Sequence, residues 1–160
     1  MSAFIAPAKV ARFQSALPFW MSFLLIPIAW VGAVNGGWMV LLLPITTWYL
    51  FSAVDLAMGL NLENADPTTS EDYLYWYRLL PLLWAPAQFI TLFALIAYVA
   101  PSDHLNSLEK VGLFFGVGVI TGTIGINYAH ELMHQKNKVE RFCADALLAM
   151  VLYSHFRSEH

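Results

Sequence analysis

The strongest constraint on this chain is a pair of apolar runs, residues 16–34 and 37–54, separated by nothing but Asn35 and Gly36. Each run is close to the ~20 residues of helix that cross the hydrocarbon of a bilayer. Asn-Gly is turn chemistry, and two residues leave room only for a helical hairpin. Inside lipid each backbone N–H and C=O must be satisfied within its own segment, so runs of this kind fold as helices. Composition agrees. Hydrophobic residues make up 59% and charged residues 12%, against about 45–50% and about 25% in a soluble domain. The net charge of −3 is scattered, and no basic arm or patch invites a nucleic acid. The single cysteine, Cys143, excludes an internal disulfide and a CxxC site. Lys9 and Arg12 precede the first run in the manner of a signal peptide, but the run is too long for one and lacks a cleavage site, so it reads as a retained first helix.

Downstream, the polar stretch NLENADPTTSED (61–72) reads as a loop. Residues 79–100 form a third span, interrupted by Pro81 and Pro86, which membrane helices tolerate when neighbours satisfy the freed carbonyls. The fourth, 111–134, carries Gly112, Gly116, Gly118 and Gly122 in two small-xxx-small spacings that let another helix approach. At 1.5 Å per residue it is about 36 Å long against about 30 Å of hydrocarbon, so its last turns project from the lipid. Residues 142–153 are apolar but only about 12 long and broken by Asp145, which suits an interfacial or re-entrant helix over about 139–156. The expected fold is therefore all-α: one membrane domain, residues 1–160, with four transmembrane helices plus that short helix. Placing the N-terminus inside puts Lys9, Arg12, Arg78, Lys136, Lys138, Arg141 and Arg157 in the cytoplasm and leaves only Lys110 outside. His104, in the outer loop, is expected to be solvated without a partner.

The stretch NYAHELMHQKNKVERF (127–142) closes the fourth span. On a helix, residues i and i+4 share a face about 6 Å apart along the axis, so His130 and His134 can offer ring nitrogens to one metal ion. HELMH fits the H-E-x-x-H pattern, in which a zinc protease uses the glutamate as general base. Four of the five histidines fall in the last 31 residues, with His155 and His160 in YSHFRSEH. Imidazole suits zinc and iron alike, so spacing alone leaves the metal open.

NYAHELMHQKNKVERF followed by SHFRSEH resembles the first and the opening of the second histidine box of the membrane alkane 1-monooxygenases, relatives of the xylene side-chain monooxygenases. Asn127 stands three residues before His130 as in that family's first box, an arginine follows, and HF precedes the second box. Trp48 and Tyr49 on the second helix, Asp55 at its end and a polar loop also match. The resemblance implies a non-haem di-iron centre with His130, His134 and His160 among its ligands, O₂ as oxidant, hydroxylation of an alkane's terminal methyl group, and electrons from NADH through rubredoxin reductase and rubredoxin. It implies a bacterial inner-membrane protein with its histidine boxes cytoplasmic, and a larger bundle of about six spans of which this chain is an N-terminal part. The remaining boxes are not in the sequence, so the chain alone is expected to be inactive. Glu131, Glu159, Asn127, His155 and Asp55 are candidates to orient the ligands. Trp48, two turns before Asp55, is the candidate to limit how deep an alkyl chain slides. The competing assignments are an intramembrane zinc protease, with Glu131 as base and Asp55 as third ligand, and a fatty-acyl desaturase or hydroxylase.

Overall fold

Every regular element in the computed structural model, which describes residues 13–50, 52–53, 56 and 74–155, is helical. The first arm of the hairpin comprises α1 (Phe13–Trp20), a 3₁₀ turn (Met21–Leu24) and α2 (Leu25–Asn35). The 3₁₀ turn has a local cause. Pro27 cannot donate to Phe23 and its ring crowds that carbonyl, so the chain tightens just where the α-helical bond would be lost. The second arm repeats the device: a 3₁₀ segment (Gly37–Leu41) lies across the residue four before Pro44, and α3 (Leu42–Ile45) and a π segment (Thr46–Leu50) follow. Gly36 and Gly37 turn the hairpin at φ values of 65° and 59°, the left-handed region that glycine enters without penalty.

Two longer helices follow, α4 (Tyr75–Val99) and a continuous run made of α5 (Ser107–Ile120), a π turn (Thr121–Gly125) and α6 (Ile126–Met133). The runs Ala16–Asn35, Tyr75–Val99 and Ser107–Met133 are long and apolar enough to cross a membrane. Large apolar side chains point outward from them, Ile90 at 66% and Phe115 at 62% exposure, as lipid contact requires of an integral membrane protein. Of the four expected spans, three are met. The expected span 37–54 is helical through Leu50, and Val54 and Asp55 lie outside the described residues.

The end of the bundle that holds the hairpin turn is tied by polar contacts. Asn106 caps α5 in a capping box with Glu109: the Glu109 N–H donates to Asn106 Oδ1 at 3.0 Å, and the Asn106 N–H donates to Glu109 Oε2 at 2.7 Å. The same carboxylate accepts from the Gly37 N–H at 2.6 Å, so one side chain fixes both a helix start and the hairpin turn. Lys110 Nζ donates to the carbonyls of Ala100 and Ser102 where α4 ends. His104, expected to be solvated alone, instead pairs its Nε2 with the Ala33 carbonyl at 3.0 Å and packs on Tyr98. An isolated histidine in a tight loop has the orphan carbonyls of a neighbouring helix end within reach, and periodicity does not reveal this.

Beyond α6 a short link leads to α7 (Lys138–Met150), capped by the Asn137 side chain, which accepts from the Val139 N–H at 2.9 Å. Expected over 139–156, this helix ends at Met150. Leu152 sits at φ 58° and the Tyr153 N–H returns to the Leu148 carbonyl at 2.9 Å, a left-handed cap that stops the helix. α7 folds back along α6 and packs on α4 and on the 121–125 turn. Glu140, 5% exposed in its side chain, takes a two-point ion pair from Arg78 at the start of α4: Nε to Oε1 at 2.8 Å and Nη2 to Oε2 at 2.9 Å. Trp84, Leu95, Leu113 and Leu132 are among the fully buried side chains of the core between these elements.

Candidate metal centre

α6 carries the HELMH sequence, and its amphipathic pattern sorts the residues cleanly. Ala129 and Leu132 are buried against α7 and α4, while Asn127, His130, Glu131 and His134 are exposed. The two imidazoles meet edge to face, ring centroids 4.9 Å apart at 74°. That is the expected consequence of i, i+4 spacing on one helix face. Two neighbouring nitrogen donors on a solvent-open face suit a metal that takes imidazole, iron and zinc both qualifying on donor chemistry. Among the described residues no group of three histidine, cysteine or acidic side chains comes together.

The remaining predicted site residues divide into two groups. Asn127 lies about one turn before His130 on the exposed side of α6. Glu131, next to His130, is exposed, and its carbonyl accepts from Gln135 Nε2 at 3.4 Å. His155 is exposed with its ring against Tyr153, centroids 4.7 Å apart. Trp48 is 60% exposed on the π segment Thr46–Leu50. His160, Glu159 and Asp55 lie outside the described residues.

Two features around the histidine helix escape a reading of periodicity. The π turn Thr121–Gly125 sits directly upstream of α6 and sets the direction its face takes. Behind α6, on the buried side, Tyr128 donates to Ser22 Oγ at 3.1 Å and packs edge-on against Trp84, with ring centroids 5.8 Å apart, while Trp84 Nε1 donates to Gln88 Oε1 at 2.6 Å. Gln88 was recoverable in principle, being a glutamine in the middle of an apolar span, where a polar group must find a partner.

No protein-family model matches the chain, and no solved structure matches it. Curated relatives do. Alkane 1-monooxygenase 1 of Pseudomonas aeruginosa is 30% identical over 110 residues, 67% of this chain and 29% of the relative. Alkane 1-monooxygenase of Pseudomonas putida is 28% identical over 145 residues, 89% of this chain and 35% of the relative. Alkane 1-monooxygenase 2 of Alcanivorax borkumensis is 30% identical over 96 residues, 59% of this chain and 24% of the relative. The chain thus spans about a third or less of the length of these relatives. Seven curated relatives match, all carrying the same name, and the chain belongs to the alkane 1-monooxygenase family, of whose members it covers one part.

Proposed function

We propose that this chain is the part of a membrane alkane 1-monooxygenase that presents its first histidine box, and that His130, His134 and His160 are ligands of a non-haem di-iron centre. The observation that carries the reading is the edge-to-face histidine pair on the exposed face of α6. When bound, iron supplies O₂ activation and the oxidation of a terminal methyl group to an alcohol. The chain's own residues hold and orient. His130 and His134 each give a ring nitrogen, and in this reading Asn127 and Glu131, exposed on the same helix, hydrogen-bond the other nitrogen and so fix ring direction. Glu159, His155 and Asp55 are further candidates for that work.

An n-alkane dissolved in the bilayer reaches the bundle sideways along apolar surface such as Ile90 and Phe115. Trp48 on the second helix is the side chain proposed to limit how far the alkyl chain enters. In the complete enzyme Trp48→Ser then extends the accepted alkane length, and gas chromatography of the alcohols from an alkane mixture reads the change; an unaltered length distribution removes Trp48 from this role. The histidines face the cytoplasm of a bacterial inner membrane in this reading, which Lys136 and Lys138 just beyond α6 support. Reduced rubredoxin, recharged from NADH by its reductase, delivers electrons there.

Metal content and product formation test the proposal together. The 160-residue chain, and a longer polypeptide extended to the length of its relatives, are purified in lipid nanodiscs and supplied with ferrous iron and zinc. The longer protein is expected to retain iron and to form a 1-alkanol, and the 160-residue chain to form none. Retention of one zinc without iron by the longer protein, or its failure to oxidise any alkane with rubredoxin present, defeats the assignment.

A further inference from the structure

Midway along α4 lies a polar side chain out of reach of water. Gln88 is 4% exposed. Trp84 Nε1 donates to its Oε1 at 2.6 Å, which settles which end of the carboxamide is oxygen. Its Nε2 is buried without a hydrogen-bond partner among the described residues. Leaving such a donor unpaired is costly, and native structures normally answer it with a protein group or an ordered water.

The carboxamide is lodged against the π turn. A Cβ added to Gly125 would lie 2.7 Å from Gln88 Oε1 and 3.0 Å from Nε2, so the amide occupies the notch that this glycine leaves open. Beside it is a cavity of about 30 Å³ bordered by Gln88 and Thr121 among apolar walls that include Leu25, Ala29, Leu92 and Val117. One water needs roughly 10–15 Å³ and two or more polar partners. Gln88 Nε2 offers donors, and the Thr121 hydroxyl, which donates to the Gly118 carbonyl at 3.1 Å, keeps lone pairs free to accept. The cavity is thus bordered by the residue that carries the unpaired donor and by the first residue of the π turn.

A π turn is rare and needs local support, because its i→i+5 bonds take up a residue that a regular helix would spread along its axis. Relaxing it to α geometry turns everything downstream by roughly one residue's 100°. For α6 that would carry His130 and His134 away from the exposed face. We propose that Gln88 is a positioning residue: seated in the Gly125 notch and completed by one internal water, it keeps residues 121–125 in the π turn and so fixes the direction in which His130 and His134 point. The inference rests on the reading of those histidines as ligands, but its test does not need iron.

The histidine pair is itself a handle for Cu(II)-iminodiacetate. With that probe on His130 and His134 and a nitroxide on Ile96→Cys in a Cys143→Ser background, pulsed dipolar EPR in nanodiscs reads the distance between α6 and the outer half of α4. Gln88→Met, which keeps the volume and removes the amide, and Gly125→Ala, which fills the notch, are expected to move that distance by a few ångströms or split it into two populations. Leu95→Ala, a loss of core packing farther along α4, is expected to leave it in place. Unchanged distances in both the methionine and the alanine variants overturn the proposal. Should either fail to fold, NMR of the unsubstituted chain decides: Gln88 side-chain amide protons are expected to show contacts to a long-lived water and to the Gly125 α-protons, and their absence overturns it equally. If the distances shift as expected while the longer polypeptide takes up no iron, the family chemistry fails and the positioning role stands.

Discussion

The rings of His130 and His134 stand 4.9 Å apart at 74° on the exposed side of α6, one helical turn between them. The two rings thus share one exposed helix face, where a chelated ion with two open positions is expected to meet both. Cu(II)-iminodiacetate titrated into the chain and followed by continuous-wave EPR is expected to bind at this pair. Replacing either histidine by alanine halves the donor set and should weaken binding by about tenfold or more, some 1.4 kcal/mol. His155→Ala should leave the affinity as it was, since that ring packs on Tyr153. Equal loss from all three substitutions would show that the pair is not the binding unit.

The four glycines of the fourth span are not equivalent, although the sequence sets them in one pattern. A Cβ on Gly116 would lie 2.9 Å from Pro44 Cδ and 3.2 Å from Leu43, at the crossing of α5 and α3. Gly118 and Gly122 have nothing within 4 Å among the described residues. Gly116→Ala should destabilise by about 1–3 kcal/mol, the usual cost of overpacking a close contact. Gly118→Ala should be neutral or stabilising by up to about 1 kcal/mol, because alanine loses less backbone freedom on forming helix. Reversible unfolding in mixed micelles measures both.

How much of this could be read from the residues depends on the kind of signal. The hairpin at Asn35 and Gly36, the helices around Pro81 and His130 and the short last helix follow from apolar run length and turn chemistry, which are local and strong. The π turn at 121–125 was not legible. Its residues TGTIG satisfy helical periodicity as well as an α turn does, and what selects the wider turn is a side chain on another helix, Gln88. The burial of Glu140, in the charged stretch QKNKVERF, was not legible for the same reason: Arg78, 62 residues earlier, comes to meet it. The histidine pair was legible because both partners lie on one helix; ligands from different elements are not.

Cys143 offers a pH-dependent check on the packing of α7. Burial pushes its thiol above the ordinary range, and the nearby negative charge of Glu140 adds to the rise. The thiolate is the reacting form, so at neutral pH Cys143 should react with iodoacetamide more slowly than free cysteine. As pH increases its rate should still be climbing where that of free cysteine has levelled off. Glu140→Gln removes the like charge that disfavours the thiolate and should move the profile toward lower pH. A rate equal to that of free cysteine throughout would mean that α7 does not cover this thiol.

The ion pair between Arg78 and Glu140 joins the start of α4 to the start of α7, and its two ends are unequally sheltered. The arginine side chain is 34% exposed and the glutamate 5%. Removing the arginine strands a carboxylate in a buried place, whereas removing the glutamate's charge leaves a guanidinium that water can still reach. Breaking a fully buried pair costs about 3–5 kcal/mol. With the arginine partly open to solvent, Arg78→Met is expected to cost about 2–3 kcal/mol, and Glu140→Gln less. The double substitution Arg78→Met with Glu140→Gln should recover part of the loss, since no charge is then left inside. A double-mutant cycle on unfolding free energies tests the asymmetry; equal costs for the two single changes would mean that the carboxylate is as well solvated as the guanidinium, and that α7 is not held against α4 by this pair.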